Sequence, residues 1–514
     1  MAKKLIFFVV MAVLAAPAFA HVDTAWVRYY DGTGGDEDIA KDIAVDDSNY
    51  VYVTGWSTGS GGAEEDYLTI KYDEDGATVW TERYDGPLGD EDCARVIAVD
   101  DSFYVYVSGR SYRLFENTDF TTIKYYPGGG TVWLRRYNGP NDGFDDAYDM
   151  TVDDSGYVYV TGESQADSGE MPGDWATVKY YPDGDTRWTK RWDDYDDRAF
   201  AVGVDDSGYV CVAGGSYRAE TQSDIIIIRY DPNGDTVWLR EYDGSASASD
   251  VPAYGGIAVD GSGSICVTGQ CNAAVGDGDY VTMMYSTSGS CSWVSTYDGP
   301  GNGEDAAKDV AVDDSGYVYV TGFSYGGSST GKDYATIKYD SNGDTVWLRR
   351  YNGSANGDDV ATGIVVDEGY NVYVTGYSYG GKMNNDCATI RYNQDGSVGW
   401  VERYGKSGNI DERALAIALK DSNDVYVTGQ SWGGASDFDY VTINYVQFLC
   451  GDANGDGVVD AGDIVYLINY LYRQGPPPDP IQAGDCNMDG EVDAGDIVCL
   501  QNYLYYQGPE PCSE

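Results

Sequence analysis

Two stretches near the C-terminus carry oxygen-bearing side chains at a spacing that suits a hard cation. In the first, Asp452, Asn454, Asp456, Asp460 and Asp463 fall at positions 1, 3, 5, 9 and 12 of a twelve-residue loop, with Gly457 at position 6 and Val458 at position 7. Asp485, Asn487, Asp489, Asp493 and Asp496 repeat the spacing 33 residues on, with Gly490 at position 6 and Glu491 at position 7. Calcium takes six to eight oxygens, and a loop of this form supplies them from those side chains and from the carbonyl of position 7, while the glycine makes the sharp turn. The expectation is two calcium ions, one per loop.

Each loop must be positioned by a helix. Ile464, Val465, Leu467, Ile468 and Leu471 recur at helical spacing after the first loop, and Ile497, Val498, Leu500 and Leu504 after the second. An EF-hand has a glutamate at position 12 and a helix before the loop, whereas both copies here end in aspartate and leave no room for an entering helix. That combination resembles a type I dockerin over residues 450–512. The resemblance implies a cohesin-type protein partner, bound through positions 10, 11, 17 and 18 of each copy. These are Ala461, Gly462, Ile468 and Asn469, then Ala494, Gly495, Gln501 and Asn502. Ala-Gly stands at positions 10 and 11, where cellulosomal dockerins carry Ser-Thr. Cys450 and Cys512 bracket the module and could clasp its ends.

The rest of the chain is repetitive. A Trp-x-x-x-Tyr motif or a close relative recurs at Trp26, Trp80, Trp133, Trp188, Trp238, Trp293, Trp347 and Trp400, 50 to 55 residues apart. Within each unit the order is constant and amounts to four short strands. In Tyr317 to Thr321 valines alternate with tyrosines, and both faces can be buried only if sheets stack on both sides. Asp313-Asp314-Ser315-Gly316 and Asp340 to Asp344 have the Asx and glycine residues of tight turns. Four strands in a period near 53 suit a propeller better than a solenoid of shorter repeats. Residues 24–446 resemble the bacterial β-propeller (SBBP) repeat family. The expected fold is all-β, an eight-bladed β-propeller of four-stranded antiparallel blades, followed by the small α-helical dockerin. The domains are a signal peptide over 1–20, the propeller over 21–449 and the dockerin-type module over 450–514.

By analogy with NHL-like propellers, the short apolar strand, such as Ile43-Ala44-Val45, is innermost and the tryptophan strand outermost. The chain then starts with an outer strand and ends without one. Ala25 to Tyr30 should therefore pair with Tyr440 to Tyr445 and close the ring.

One acid per unit, Asp38, Asp92, Asp145, Asp197, Asp250, Asp305, Asp359 or Glu412, precedes the end of the inner strand. Such a set could ring a channel mouth as a cation site, or offer a glycosidase pair about 5 to 10 Å apart. Alternatively each acid caps its own turn or meets a base such as Lys41, Arg95 or Lys308. The second reading is preferred, because a residue repeated in nearly every unit usually maintains the unit. Departures from the repeat are more informative: Glu64-Glu65, the stretches 113–118, 165–174 and 218–224, and Trp56 and Trp432 as loop aromatics able to stack on a sugar. Trp175 and Trp192 replace repeat tyrosines and should pack in strands.

Composition bounds the function. The 514 residues include 85 acidic and 32 basic ones, a formal charge of -53, which argues against nucleic acid and anionic membranes. The one histidine, His21, excludes a Ser-His-Asp triad, a Cys-His pair and a multi-imidazole zinc site. Lys3-Lys4, the apolar run Leu5 to Ala16 and Ala18-Phe19-Ala20 form a signal peptide, so the protein is expected to be secreted, with no membrane span. Of ten cysteines, Cys271 and Cys291 could bridge, Cys211 and Cys266 replace a strand tyrosine as small buried hydrophobes, and Cys93 and Cys387 look unpaired. Two functions remain. One is a non-catalytic propeller that presents a carbohydrate- or peptide-binding face while the dockerin anchors it to a cohesin-bearing extracellular assembly. The other is a polysaccharide-degrading hydrolase or lyase using carboxylates on the loop face.

Overall fold

An aspartate sets the first hairpin of most repeats. In the sixth, Asp313 Oδ1 accepts from the backbone N–H groups of Ser315 and Tyr317 (both 2.9 Å), and Gly316 supplies the positive φ of 77° that the turn needs. Its Oδ2 accepts from the Tyr319 hydroxyl at 2.7 Å. One side chain thus caps the turn and satisfies a tyrosine that is fully buried. Asp46, Asp100, Asp153 and Asp367 hold Tyr52, Tyr106, Tyr159 and Tyr373 in the same way.

The computed structural model describes residues 20–512 except 33–35, 60–63, 88, 113–116, 166–172, 194–195, 219–221, 245–248, 275–276, 382–383, 407–409, 421–422, 435–436, 507 and 510. Residues 1–19, expected to belong to a signal peptide, and most of the loops expected to break the symmetry therefore lie outside the described residues. Two compact units emerge: Thr24–Tyr445 is one, and the residues from Val446 onward, with the start of the first strand, form the other.

The first unit is an eight-bladed propeller of four-stranded antiparallel sheets. The sixth blade runs Asp305–Val312, Val318–Tyr325, Lys332–Tyr339 and Thr345–Tyr351, from inner to outer strand. The eighth consists of Glu412–Leu419, Asp424–Trp432 and Phe438–Leu449, and its fourth strand is Ala20–Tyr30 from the other end of the chain. The expected closure is present. Trp26 packs on Tyr426 and Tyr72, so it bridges the eighth blade and the first, and Tyr30 meets Tyr440 at 6.0 Å between ring centroids.

Elsewhere the same tryptophan staples neighbouring blades. Trp26, Trp80, Trp133, Trp238 and Trp347 donate their indole N–H to a carbonyl in the last turn of the following blade, at 2.9 to 3.2 Å. Gly343 shows why that turn needs a glycine: a Cβ there would stand 2.6 Å from the Trp293 ring. Val318, Tyr319 and Val320 are all fully buried, as sheets stacked on both faces require.

The inner strands differ from the expected apolar triplet. They are eight or nine residues long, seven of the eight include the repeating acid (Asp250 directly precedes the fifth), and all eight carry a β-bulge after their first three residues or so. A bulge leaves one residue unpaired and re-aims its side chain.

In the second unit, α1 (Ala461–Arg473) and α2 (Ala494–Tyr506) pack through Ile464, Leu467, Ile497 and Leu500 around Ala453 and Cys486. Cys450 bridges Cys512, as the bracketing positions suggested, and Cys486 bridges Cys499, a pair the sequence reading did not single out. Cys271 and Cys291 do not bridge: Cys271 is buried and Cys291 is exposed.

Candidate functional site

The two twelve-residue loops are built by the same hydrogen bonds. Asp452 Oδ1 and Oδ2 accept from the N–H groups of Asp456 (3.1 Å) and Gly457 (2.7 Å), and Asp485 accepts from Asp489 (3.1 Å) and Gly490 (2.8 Å). Position 12 closes each loop. Asp463 accepts from Asn454 (3.1 Å) and Asp460 (2.8 Å), and Asp496 from Asn487 (3.2 Å) and Asp493 (2.8 Å). Gly457 and Gly490 hold φ values of 83° and 89°, which a side chain would strain.

Asp460 is also the N-cap of α1 and makes a reciprocal capping box with Asp463. Loop and helix are therefore one device. Asp463 and Asp496 are fully buried, and their carboxyls are pushed above the usual carboxylate range, first by burial and then by Asp452 and Asp456 or by Asp485 and Asp489. Among the described residues none of the twelve candidate ligands has a basic partner. Crowded, partly buried acids without a counter-charge fit a divalent cation.

The eight positions expected to meet a protein partner lie on the surface of this unit. Ala461, Ala494, Gln501 and Asn502 are exposed, and Gly462, Ile468, Asn469 and Gly495 are half-buried. Of the eight, Ile468 also packs against the helix–helix core.

In the propeller the repeating acids do not ring a channel mouth. Asp38, Asp92, Asp145, Asp197, Asp250, Asp305, Asp359 and Glu412 are all fully buried. In seven of them the carboxylate accepts from the backbone N–H six residues upstream, as Asp305 does from Gly299 (2.9 Å) and Glu412 from Lys406 (2.9 Å). In four blades the acid also holds the second strand, as when Asp305 accepts from Tyr325 N–H at 3.0 Å. These carboxylates clasp the crossover from one blade to the next. They do not meet Lys41, Arg95 or Lys308.

Those three bases sit instead at the bulge, where side chains face the channel. The bulge residues, taken blade by blade, are Lys41, Arg95, Tyr148, Phe200, the segment Ala253 to Gly256, Lys308, Thr362 and Leu415. A cavity of about 710 Å³ is lined by inner strands of seven blades and by Lys41, Arg95, Tyr148, Tyr254 and Lys308. Tyr148, Phe200 and Tyr254 form one aromatic group with centroids 4.8 to 5.9 Å apart, and Tyr254 is 62% exposed. Arg95 is engaged by Asp146 through two hydrogen bonds of 2.9 and 2.7 Å. Lys41 and Lys308 make no ion pair among the described residues; they lie over the rings of Trp56 (4.5 Å) and Phe323 (5.5 Å). The signal in the sequence was the third residue after each repeating acid, where the type changes from unit to unit.

Deeper in the channel, Asp42, Asp149 and Asp309 accept from the N–H groups of Ile97, Val202 and Ile364 in the next blade at 2.7 to 2.8 Å. Burial raises them to about 6, about 7 and about 7, against the opposing effect of those backbone donors.

Trp56 and Trp432, expected in loops, belong to strands Val51–Thr58 and Asp424–Trp432, and Trp432 packs edge-on against Phe438. Trp175 is fully buried and Trp192 half-buried, both in strands.

The family model of the dockerin type I domain matches residues 450–505, where the paired loops and helices lie. Residues 450–505 are a type I dockerin. The β-propeller repeat model matches residues 25–62 and 132–170, ahead of the dockerin. No curated protein matches the sequence. Solved structures with a similar fold include the polysaccharide lyase Uly1 (11% identity, TM-score 0.40, covering 81% of this chain and 90% of that one). Drosophila Plexin A in complex with Semaphorin 1b is another (8%, 0.42, 86% and 89%), as is the β-propeller domain of the Trilobed protease from Pyrococcus furiosus (9%, 0.41, 75% and 98%). TM-scores below 0.5 carry no functional weight. Dockerin domains bind calcium and imply cohesin-mediated extracellular assembly. No helix of the described residues is long and apolar enough to cross a membrane.

Proposed function

We propose that this is a secreted, non-catalytic β-propeller binding protein, anchored to a cohesin-bearing extracellular assembly by its calcium-loaded dockerin. The domains are then the signal peptide 1–20, the propeller 21–449 and the dockerin module 450–514. Two calcium ions are held, one by Asp452, Asn454, Asp456, Asp460, Asp463 and the Val458 carbonyl, the other by Asp485, Asn487, Asp489, Asp493, Asp496 and the Glu491 carbonyl. The bound ions neutralise the crowded carboxylates and fix the helices that follow. Ala461, Gly462, Ile468 and Asn469, or their counterparts Ala494, Gly495, Gln501 and Asn502, present the cohesin-binding surface.

The observation that carries the non-catalytic reading is the fate of the repeating acids. A glycosidase pair must reach substrate from two sides, and all eight candidates are buried, seven of them as clasps on the backbone N–H six residues upstream. The test is a polysaccharide-hydrolysis and glycan-binding screen of the full chain in calcium, together with capture of a cohesin module with and without EDTA. Binding without product release, and cohesin capture abolished by EDTA, are expected. Release of oligosaccharide would establish the alternative, a polysaccharide-degrading enzyme, and capture insensitive to EDTA would remove the calcium-dependent anchor.

A further inference from the structure

The bulge residues share one backbone position, so their differences reflect what the mouth contacts rather than what the blade needs. Blades 6, 1 and 2 place Lys308, Lys41 and Arg95 there; blades 3 and 4 place Tyr148 and Phe200, and the wider bulge of blade 5 adds Tyr254. No acid stands at any of the eight positions, in a chain with 85 acidic and 32 basic residues. The cationic side chains of blades 6, 1 and 2 are separated by Thr362 and Leu415 of blades 7 and 8, and the aromatic ones occupy blades 3 to 5.

Arg95 is paired with Asp146, whereas the two lysines have no such partner among the described residues. Lys308 is exposed within the mouth and Lys41 is half-buried there, without an ion pair for either among the described residues. Enclosure by protein lowers both ammonium pKa values; Arg95 lowers Lys41 further against Cys93, Glu37 and Glu65, and for Lys308 Glu304 acts upward against Lys332. A second cavity of about 700 Å³ shares Lys308, Val360 and Tyr377 with the first and adds Asp358, Lys332 and Arg413, the last two paired with Glu304 (2.7 Å) and Asp411 (2.9 Å).

We propose that this mouth binds an acidic oligosaccharide, its carboxylates on Lys41 and Lys308 and a sugar ring against the exposed face of Tyr254. The inference rests on the reading of the propeller as a ligand-binding module and names the ligand class. Sugars need a flat apolar platform beside polar groups, which the aromatic arc supplies. A peptide docks best on a free strand edge or an apolar groove, and the mouth is made of paired strands with cationic side chains. The net charge of -53 selects for a ligand carrying a few carboxylates over a dense polyanion, which the rest of the surface would repel.

The probe is an oligogalacturonate of three to six units, titrated into the full chain in calcium beside the carboxyl-reduced neutral oligomer and a glutamate-rich peptide of similar charge. The uronate is expected to bind, with affinity falling as salt rises. The double variant Lys41→Gln, Lys308→Gln should weaken it on the order of tenfold or more, and Tyr254→Ala should weaken uronate binding without altering the salt dependence. Near-UV circular dichroism establishes that the variants fold. Absence of uronate binding, or binding indifferent to the lysine pair, overturns the proposal. Equal binding of the neutral oligomer, unaffected by the lysine variant, overturns the acidic ligand but leaves the binding module standing, and preference for the peptide overturns the saccharide. Cleavage of the oligomer would instead overturn the non-catalytic reading, while the lysine variant would still decide the ligand class.

Discussion

Carboxylates recur at fixed spacing in both units, yet they do opposite things. In the propeller each repeating acid is enclosed by its own backbone. Asp305 is fully buried and takes the N–H groups of Gly299 and Tyr325. Below it, Arg350 pairs with Asp333 at 2.7 Å and reaches the Ser324 carbonyl at 2.9 Å. The acid is a structural part with internal partners. In the dockerin five acidic or amide side chains crowd into twelve residues, and none has a basic partner among the described residues. There the missing charge must come from outside the chain. Periodicity alone does not separate a structural acid from a ligand; the surroundings of each carboxylate do.

If the propeller is held by internal partners and ring closure, breaking the ring should have the largest effect. Deleting residues 21–31 removes the outer strand of the eighth blade and with it Trp26, which is 7% exposed and joins the eighth blade to the first. Loss of a buried tryptophan alone costs about 3–5 kcal/mol, and two strand edges become open to aggregation. A denaturant melt should show a loss above about 5 kcal/mol, with scattering on heating. A midpoint within error of the intact chain would mean that the seam strand is dispensable.

The dockerin should respond instead to removal of its counter-charge. Since α1 and α2 are the only α-helices among the described residues, the helical circular dichroism of the whole chain reports this unit. EDTA should abolish that signal while the propeller melt stays in place, and Asp452→Ala with Asp485→Ala should do the same without chelator. The disulfides Cys450–Cys512 and Cys486–Cys499 will keep the apo unit crosslinked, so loss of ellipticity is a better readout than hydrodynamic size. A helical signal indifferent to EDTA would put the loops in the same class as the propeller acids.

The sequence made the blade count, the ring closure and the loop–helix module legible because each is written in a repeated pattern: tryptophans about 53 residues apart, strand tyrosines and valines, and two twelve-residue loops. The mouth was not legible for the same reason. Its residues sit at a bulge, and a bulge is a difference in pairing register that no residue type announces. Lys41 and Lys308 therefore read as partners for nearby acids until the backbone N–H groups proved to have taken those acids. The Cys486–Cys499 bridge was missed because it spans only thirteen residues between a loop and a helix, a separation visible only once Cys499 is seen to face the core.

The comparison is sharpened by pH. Asp149 and Asp309 are half-buried in the channel wall and make no ion pair with a base among the described residues; burial raises both to about 7, well above the usual carboxylate range. A raised folded pKa means that folding takes up protons between that range and about 7. The stability contributed is complete below about pH 4 and is lost as pH rises through about 7. The propeller should therefore be more stable at pH 5.5 than at pH 8, by on the order of 1–3 kcal/mol. Asp149→Asn with Asp309→Asn should flatten that slope even if the amides weaken the fold at every pH. A slope of the opposite sign, or one unchanged in the variant, would mean that these carboxylates are charged in the folded channel.

The smallest effect tests whether a propeller acid is satisfied by one neighbour at a time. Asp313 takes three donors, and Tyr319→Phe removes one of them, the hydroxyl at 2.7 Å, while the turn N–H groups of Ser315 and Tyr317 remain. A buried hydrogen bond to a charged acceptor contributes about 1–3 kcal/mol, and retention of the turn places this loss near the lower end, about 1 kcal/mol. The protein already contains a natural form of the experiment. In the fourth blade Cys211 stands where the tyrosine would be, and Asp205 is held instead by the Arg229 guanidinium. The strand tolerates loss of the hydroxyl there because another donor has replaced it. In the sixth blade the corresponding base is Lys338, whose ammonium lies over the rings of Tyr317 and Tyr319 at 4.2 and 4.8 Å. Tyr319→Phe with Lys338→Arg should then recover part of the loss, because the longer planar head can reach Asp313 as Arg229 reaches Asp205. Thermal melts of the single and double variants measure this coupling. Additive losses would mean that the acid does not depend on which neighbour supplies the third donor.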